Sequence, residues 1–295
     1  MTPFLFSDSF ETYLSAEKRY SQHTIVAYLK DVEQFFIFSG VCRVSELSEI
    51  SSKVMRGWLV SLINNSYTNK SVNRKLSSLR TYFNFLKRNQ HLSRNPLTGV
   101  RGPKSEKRLP QFANEKDLFA TTKVEMESLS FEALTNLVMI ELFYQTGIRL
   151  SELIGLKNLD IQNLKIKVLG KRNKERIIPI SNELNELLIY YLKIKKQMEF
   201  HSIWLINTNK GNKVYPKFVY RKINNYLGAV TDLEKCSPHV LRHTFATHML
   251  NNGAGLETIK ELLGHANLSA TQVYTHSSFA QLTNIYSQAH PRGHK

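Results

Sequence analysis

A short segment rich in glycine, proline and basic residues divides the chain in two. The segment LTGVRGPKSEKRLP, residues 97–110, contains two glycines and two prolines among several basic side chains, a composition typical of an interdomain linker. A chain of 295 residues has room for two domains of ordinary size. We therefore predict a first domain over residues 1–101, a basic linker over 102–110 and a second domain over 111–295.

Apolar residues before the linker recur at helical spacing. In SQHTIVAYLKDVEQFFIFSG, Ser21 is placed to cap a helix that Gly40 ends. In TNKSVNRKLSSLRTYFNFLKRNQ, the apolar positions again share one face, and we assign Arg74, Lys75 and Arg80 to the opposite face. The first domain is therefore predicted to be helical. These three basic residues are predicted to contact phosphate, the alternative being an ordinary solvated helix face.

The second domain combines helical and strand patterns of apolar residues. SFEALTNLVMIELFYQTG predicts a helix that ends at Gly147, and RLSELIGL predicts a short helix after it. LKIKVLG and ERIIPIS, separated by KRNK, predict a β-hairpin. Helical patterns resume at NELNELLIYYLKIKKQM and continue to the end. The predicted fold is mainly α, with a small β-hairpin or sheet in the second domain.

Composition narrows the class of partner. The formal net charge is +16, which favours a polyanion, most often nucleic acid. The hydrophobic content of 42% excludes wholesale disorder. We find neither a signal peptide nor a run of 18 apolar residues, and the two distant cysteines suggest neither a disulfide framework nor a zinc site. We therefore expect a protein of the reducing cytoplasm that has no membrane partner.

Histidines are concentrated near the C-terminus, where residues 239–295 contain seven of the ten. His239 and His243 are four apart, but the glutamate of an HExxH motif and a nearby cluster of cysteines or carboxylates are both missing. A zinc site is therefore unsupported. Two interpretations remain open: the histidines are scattered between core and surface, or some of them donate hydrogen bonds to a phosphate.

Four segments support the phosphate interpretation. Arg149 follows the break at Gly147 and begins a short helix, where an anion is favoured. Arg242 lies three residues after His239, so both project from one helix face. His265 lies nine residues before Tyr274, and Lys171 lies in the turn of the predicted hairpin.

Taken together, these segments resemble the tyrosine recombinase (phage integrase) family. TGIRLSELIGL, GKRNKERIIPI, SPHVLRHTFATHML, GHANLSATQVYTH and the terminal AHPRG are similar to family motifs, in the family's order and over nearly the whole chain. The resemblance is greatest to Xer-type site-specific recombinases, in particular the XerC branch. It implies a two-domain, C-shaped clamp, made of a helical core DNA-binding domain and an α+β catalytic domain.

The resemblance also implies a role for each candidate residue. Tyr274 would be the nucleophile, Arg149 and Arg242 the guanidiniums on the scissile phosphate, and His239 and His265 its further hydrogen-bonding partners. Lys171 would be the general acid, although Lys174 remains an alternative because Arg172 stands where the family often has glycine. Glu152 would support Arg149, the alternative being a plain surface carboxylate.

The implied function is DNA cleavage and rejoining through a 3′-phosphotyrosyl intermediate, in chromosome dimer resolution, without metal, ATP or another cofactor. The implied partners are double-stranded DNA with a short near-palindromic site, a second recombinase or further copies of the chain in a tetramer, and a DNA translocase as a candidate activator. The C-terminal helix, residues 277–289, would either pack on its own domain or be donated to a neighbouring protomer.

Three alternatives remain open. A mobile-element integrase would share this chemistry. A topoisomerase-like enzyme would nick DNA without synapsis. A regulator would bind DNA without cleaving it.

Overall fold

The computed structural model describes residues 4–104, 111–119, 126–170, 174–264 and 276–293, with the side chains of 276–278 excepted. Within it the chain divides into two compact units, residues 1–108 and 109–295. Each unit has its own hydrophobic core. We describe the units separately.

The first unit is built from helices. They are α1 (Ser7–Thr12), which continues as a π-helical turn (Tyr13–Glu17), then α2 (Gln22–Ser39), a 3₁₀ turn (Val44–Glu49), α3 (Ser52–Asn64) and α4 (Asn69–Arg88). As predicted, the Ser21 side chain caps α2 and Gly40 ends it with a φ of 67°. Aromatic side chains fill the core between α2, α3 and α4; Phe35, Trp58, Tyr82 and Phe83 are at most 1% exposed.

One basic residue of α4 lies on a different face from the one predicted. Lys75 is 7% exposed, and its ammonium donates to Asp31 Oδ1 at 3.0 Å and to Gln34. The assignment of Lys75 to the exposed face was wrong, because residue 75 shares the inward stripe of α4 with Val72 and Leu79. The positive charge is tolerated there because the buried Asp31 carboxylate neutralises it.

The other two residues predicted to contact phosphate do reach solvent. The Arg74 side chain is 47% exposed and also pairs with Asp31. Arg80 is exposed and donates to the Val100 carbonyl. Their predicted contact with phosphate stays a prediction.

The second unit is α+β. Its helices are α5 (Glu115–Phe119), α6 (Phe131–Thr146), α7 (Leu150–Gly155), α8 (Asn182–Gln197), α9 (Pro216–Val230), α10 (Pro238–Asn251), α11 (Leu256–Leu263) and α12 (His276–Ala289), with 3₁₀ turns at Met126–Ser128 and Asn158–Asp160. Helix α6 is the centre of this core, since it is buried from Val138 to its end and packs on α8 and α10. This explains why its sequence is largely apolar on every face.

A small antiparallel sheet lies between α7 and α8. Its strands, in the order β1-β2-β3, are β1 (Ile161–Gln162), β2 (Lys165–Leu169) and β3 (Glu175–Pro179). The hairpin of β2 and β3 confirms the prediction, and Val168 pairs with Arg176 across it. Strand β1 was not predicted, because its turn places Asn163 and Leu164 at positive φ and leucine is unusual there.

Helix α12 packs on its own domain in this chain, which is one of the two alternatives from the sequence. Leu282 and Tyr286 are buried, and the Tyr286 hydroxyl donates to Gln145 Oε1 at 3.2 Å. Beyond α12, His290 is fully buried, and Arg292 pairs with Glu141 at 2.9 Å. Within the described ranges, we find no helix whose length and apolarity would let it cross a membrane.

Candidate active site

The site begins at the tight turn between α6 and α7. Gly147 ends α6 with a φ of 59°, and a Cβ atom there would lie 2.6 Å from Phe245 and 2.7 Å from Leu263. Only glycine allows this close approach of α6 to α10 and α11. The turn places Arg149 at the N-terminal cap of α7.

Glu152 holds Arg149 in two ways. The Arg149 backbone N–H donates to Glu152 Oε2 at 2.7 Å, and Arg149 Nη1 donates to Oε1 at 2.8 Å. Glu152 is only 5% exposed, so it is not a plain surface carboxylate. The Arg149 side chain is 32% exposed. Its guanidinium therefore reaches solvent, while the buried Glu152 carboxylate fixes its orientation.

Arg242 is the second guanidinium of the site. It lies on α10, is 8% exposed, and donates to the carbonyls of Gly147 and Leu263. Burial, together with the positive charge of Arg149, lowers the pKa of Arg242 to about 10. The residue is still fully protonated at neutral pH.

Three guanidiniums meet at the C-terminal end of α11. Arg176 Nε donates to the Leu262 carbonyl at 2.8 Å, Arg242 Nη2 to Leu263 at 2.7 Å, and Arg149 Nη2 to Gly264 at 3.0 Å. The last carbonyls of a helix carry partial negative charge and have no partner within the helix. This helix end therefore draws three positive charges to consecutive carbonyl oxygens.

Arg176 is a further site residue that was not predicted from the sequence. It lies in β3, is 5% exposed and donates to both Glu152 oxygens, at 3.0 Å and 2.8 Å. Alternation along the strand was a usable signal, because Arg176 and the buried Ile178 are two residues apart and therefore face the same side.

Burial would raise the pKa of Glu152, but the hydrogen bonds and charges of Arg176 and Arg149 outweigh that effect and lower it to about 2. The carboxylate is therefore ionised over the whole physiological range. One buried negative charge is shared by two guanidiniums.

The structure describes only some of the remaining predicted site residues. His239 is exposed in the first turn of α10, one turn before Arg242. Lys171, His265 and Tyr274 lie outside the described residues. Lys174 is exposed, and its carbonyl accepts the Gly170 N–H at 2.7 Å at the base of the hairpin. The choice between Lys171 and Lys174 therefore stays open.

This arrangement is suited to an oxyanion on which further negative charge develops during reaction. Two guanidiniums held by fixed acceptors each offer planar, permanently charged donors. Donors fixed in advance need no reorganisation when negative charge develops on a phosphate. The described part of the site can therefore bind and polarise a phosphodiester.

Known proteins that match this chain belong to the family that its sequence motifs resemble. Residues 112–281 match the phage integrase family, and residues 8–90 match the N-terminal SAM-like domain of phage integrases. The tyrosine recombinase XerC of Thermodesulfovibrio yellowstonii is 38% identical, over 96% of this chain and 95% of its own length. The XerC of Staphylococcus epidermidis is also 38% identical, over 98% of each chain.

Solved structures share the fold. The XerH site-specific recombinase bound to a palindromic difH substrate, in a post-cleavage complex, superposes with a TM-score of 0.67 at 19% identity, over 96% of this chain and 94% of that one. A lambda integrase dimer bound to a core site gives 0.66 at 19% identity, over 91% of this chain and 98% of that one. The chain belongs to the phage integrase family of tyrosine recombinases.

Proposed function

We propose that this chain is a site-specific DNA recombinase that cleaves and rejoins DNA through a 3′-phosphotyrosyl intermediate. The observation that carries the proposal is the pair of guanidiniums, Arg149 and Arg242, held on the consecutive carbonyls of Gly264 and Leu263. Two guanidiniums from distant segments thus lie close together, and in the proposed complex both bind the non-bridging oxygens of a single phosphate. Binding alone needs no such focus of charge, since contacts spread along the DNA backbone suffice.

In the proposed reaction the Tyr274 hydroxyl attacks the scissile phosphorus. Arg149 and Arg242 bind the non-bridging oxygens, with His239 and His265 as further hydrogen-bonding partners. The bond to the 5′ oxygen breaks, and Lys171 supplies the proton that this leaving group requires. A phenol is a weak nucleophile at neutral pH. Its proton passes to a neighbouring imidazole as the bond to phosphorus forms, and the surrounding positive charge favours the ionised phenolate.

The phosphotyrosyl bond retains the energy of the phosphodiester that it replaces. A 5′ hydroxyl from another strand can therefore attack it, reform a phosphodiester and release the tyrosine. Strand exchange by this route balances without ATP. We propose that the chain uses no cofactor.

A DNA duplex with a nick close to the cleavage site tests the chemistry, because the short leaving fragment diffuses away and traps the covalent intermediate. The full chain should form a covalent protein–DNA adduct in the presence of EDTA. Tyr274→Phe should abolish the adduct, whereas the control Tyr190→Phe, on α8, should retain it. An adduct that survives Tyr274→Phe, or that requires a divalent metal, would contradict the mechanism, and a DNA-binding regulator would give no adduct at all.

We also propose that the first domain, residues 1–101, binds the core of the DNA site, that residues 102–110 link it to the catalytic domain, residues 111–295, and that Arg74 and Arg80 contact phosphate. Each phosphate contact contributes about 0.9 to the slope of log affinity against log salt. Arg74→Gln and Arg80→Gln should each lower that slope by about this amount, while Arg43→Gln, whose side chain is 80% exposed outside α4, should not. Unchanged slopes for both variants would remove these residues from the interface.

The relatives named XerC point to chromosome dimer resolution in the cytoplasm as the cellular role. The proposed partners are a short near-palindromic duplex, a second recombinase or further copies of this chain in a tetramer, and a DNA translocase as activator. We propose further that helix 277–289, which packs on its own domain in the single chain, is donated to a neighbouring protomer when the tetramer assembles on DNA. A mobile-element integrase has the same chemistry, and recombination assays on chromosomal and mobile-element sites distinguish the two.

A further inference from the structure

The buried Arg176 is the one guanidinium of the cluster that the proposed reaction does not use. At 5% exposure it lies below the surface that Arg149 presents to solvent. Its three nitrogens already donate to Leu262 and Glu152, so we assign it no contact with DNA. Burying a third positive charge beside two others is unfavourable, so its contacts must account for its presence.

Those contacts connect the secondary-structure elements from which the other site residues project. Two nitrogens of Arg176 bind the Glu152 carboxylate that holds Arg149. Its third nitrogen binds Leu262, two residues before Gly264 and three before His265. One side chain thus links α7, the β-hairpin and the end of α11.

Two glycines form a slot for this guanidinium. A Cβ atom at Gly264 would lie 3.1–3.3 Å from three atoms of the Arg176 side chain, and one at Gly170 would lie 3.2 Å from the Lys174 carbonyl and 3.5 Å from Arg176 Nη1. Gly170 directly precedes Lys171, and Gly264 directly precedes His265. The slot is therefore bounded by the two glycines that directly precede two candidate catalytic residues.

We propose that Arg176 is a positioning residue: by fixing both oxygens of Glu152, it holds the Arg149 guanidinium in the orientation that binds the scissile phosphate. Glu152 presents two oxygens to two guanidiniums, and the rigid fork of Arg176 fixes their plane. Without that fork the carboxylate is held only by the backbone N–H and Nη1 of Arg149, so its plane tilts more easily and the Arg149 guanidinium tilts with it. The inference rests on the proposed function.

The test replaces Arg176 by lysine, which keeps the charge but cannot form the two parallel hydrogen bonds. A misplacement of about 1 Å at a reacting centre costs about 10²-fold in rate, so Arg176→Lys should slow adduct formation on the nicked duplex by that order. Combined with Arg149→Ala, it should slow the already reduced rate by less than about threefold, because the residue through which it acts is gone. A merely structural role would lower both rates by the same factor.

Arg292→Lys is the matched control. It alters another buried arginine–glutamate pair of the same domain, Arg292 with Glu141, whose side chains are each 6% exposed. Its effect on the adduct rate should be the same with and without Arg149→Ala. Thermal unfolding of each variant reports how much stability is lost.

Should Arg176→Lys not fold, the double variant Glu152→Gln and Arg176→Gln replaces the charged pair by an amide pair and should show the same dependence on Arg149. The inference is overturned if Arg176→Lys leaves the rate unchanged, if its effect persists in full with Arg149→Ala, or if both designs fail to fold while Arg292→Lys folds. The proposed function fails separately, if Tyr274→Phe still forms the adduct.

Discussion

The ionised, buried Glu152 makes a quantitative prediction about stability. Glutamine at this position keeps the shape of the side chain but removes its charge. It leaves the guanidinium of Arg176, 5% exposed, without its counter-charge. We expect Glu152→Gln to lower the free energy of unfolding of the second domain substantially, and two estimates of the loss can be compared.

The first estimate comes from proton linkage. A carboxyl pKa lowered from 4.5 to about 2 corresponds to at most about 3 kcal/mol at neutral pH. Solvent at the edge of the site, where Arg149 is 32% exposed, reduces this value. The second estimate comes from removing one partner of a buried ion pair, which costs about 3–5 kcal/mol. The two overlap near 3 kcal/mol, and we expect a loss of about 2–3 kcal/mol.

The two tryptophans allow the domains to be measured separately. Trp58 lies in the first unit and Trp204 in the second. In a Trp58→Phe background, urea unfolding followed by tryptophan fluorescence therefore reports the second domain alone. Glu186→Gln, on the exposed side of α8, is the control and should change the unfolding free energy by less than about 0.5 kcal/mol.

The pH dependence supplies the refuting result. Because the folded-state pKa of Glu152 lies below its unfolded value, its stabilisation is complete above about pH 4.5 and is lost as the pH falls towards 2. The difference between Glu152→Gln and the parent should therefore shrink through that window. A loss below about 1 kcal/mol at pH 7, or a difference independent of pH, would refute the description of Glu152 as a buried, ionised carboxylate.

Three further predictions concern other buried polar groups and turns. Burial lowers the pKa of His290 to about 3, so the second domain should lose stability as the pH falls from 6.5 towards 3, by up to about 1.4 kcal/mol per pH unit; His290→Asn should remove this slope in urea unfolding, and an unchanged slope would contradict the assignment. Asp31→Asn leaves the buried Lys75 ammonium without its counter-charge and should lower the free energy of unfolding of the first unit by about 3–5 kcal/mol. Urea unfolding followed by Trp58 fluorescence in a Trp204→Phe background measures this loss, and a loss under about 1 kcal/mol would count against the pairing. Gly147→Ala adds a Cβ atom 2.6 Å from Phe245 at a φ of 59° and should destabilise the second domain by at least about 1 kcal/mol. The control Gly228→Ala, whose Cβ atom would have nothing within 4 Å, should not. Equal effects of the two variants would show that the turn does not require glycine.

Local patterns predicted much of this architecture. The caps at Ser21 and Gly40, the end of α6 at Gly147 and the β-hairpin all depend on residues close together in sequence. Such features are set by short-range hydrogen bonds and backbone preferences. They could therefore be predicted without knowledge of tertiary packing.

The two errors concern charged residues on inward faces. Lys75 was assigned to the exposed face because of its charge, and Arg176 was not singled out, although helix and strand periodicity place both with buried apolar neighbours. Each is stabilised by a carboxylate from a distant segment, Asp31 or Glu152, at separations of 44 and 24 residues. A single sequence does not show which distant carboxylate will meet which cation, and these pairings required the structure.

Under the proposed mechanism, the cluster of guanidiniums at the end of α11 makes the capacity to cut DNA depend on complete folding. Arg149 and the carbonyl it binds, that of Gly264, are 115 residues apart, and Arg176 and Arg242 come from segments between them. Before the second domain has closed, these charges are dispersed along the chain and no phosphate meets two of them together. Under the same mechanism, a nascent or partly unfolded chain can still bind DNA through its overall charge, but it lacks the paired guanidiniums that bind the scissile phosphate. An enzyme that makes covalent breaks in a genome thereby remains harmless until its catalytic domain is whole.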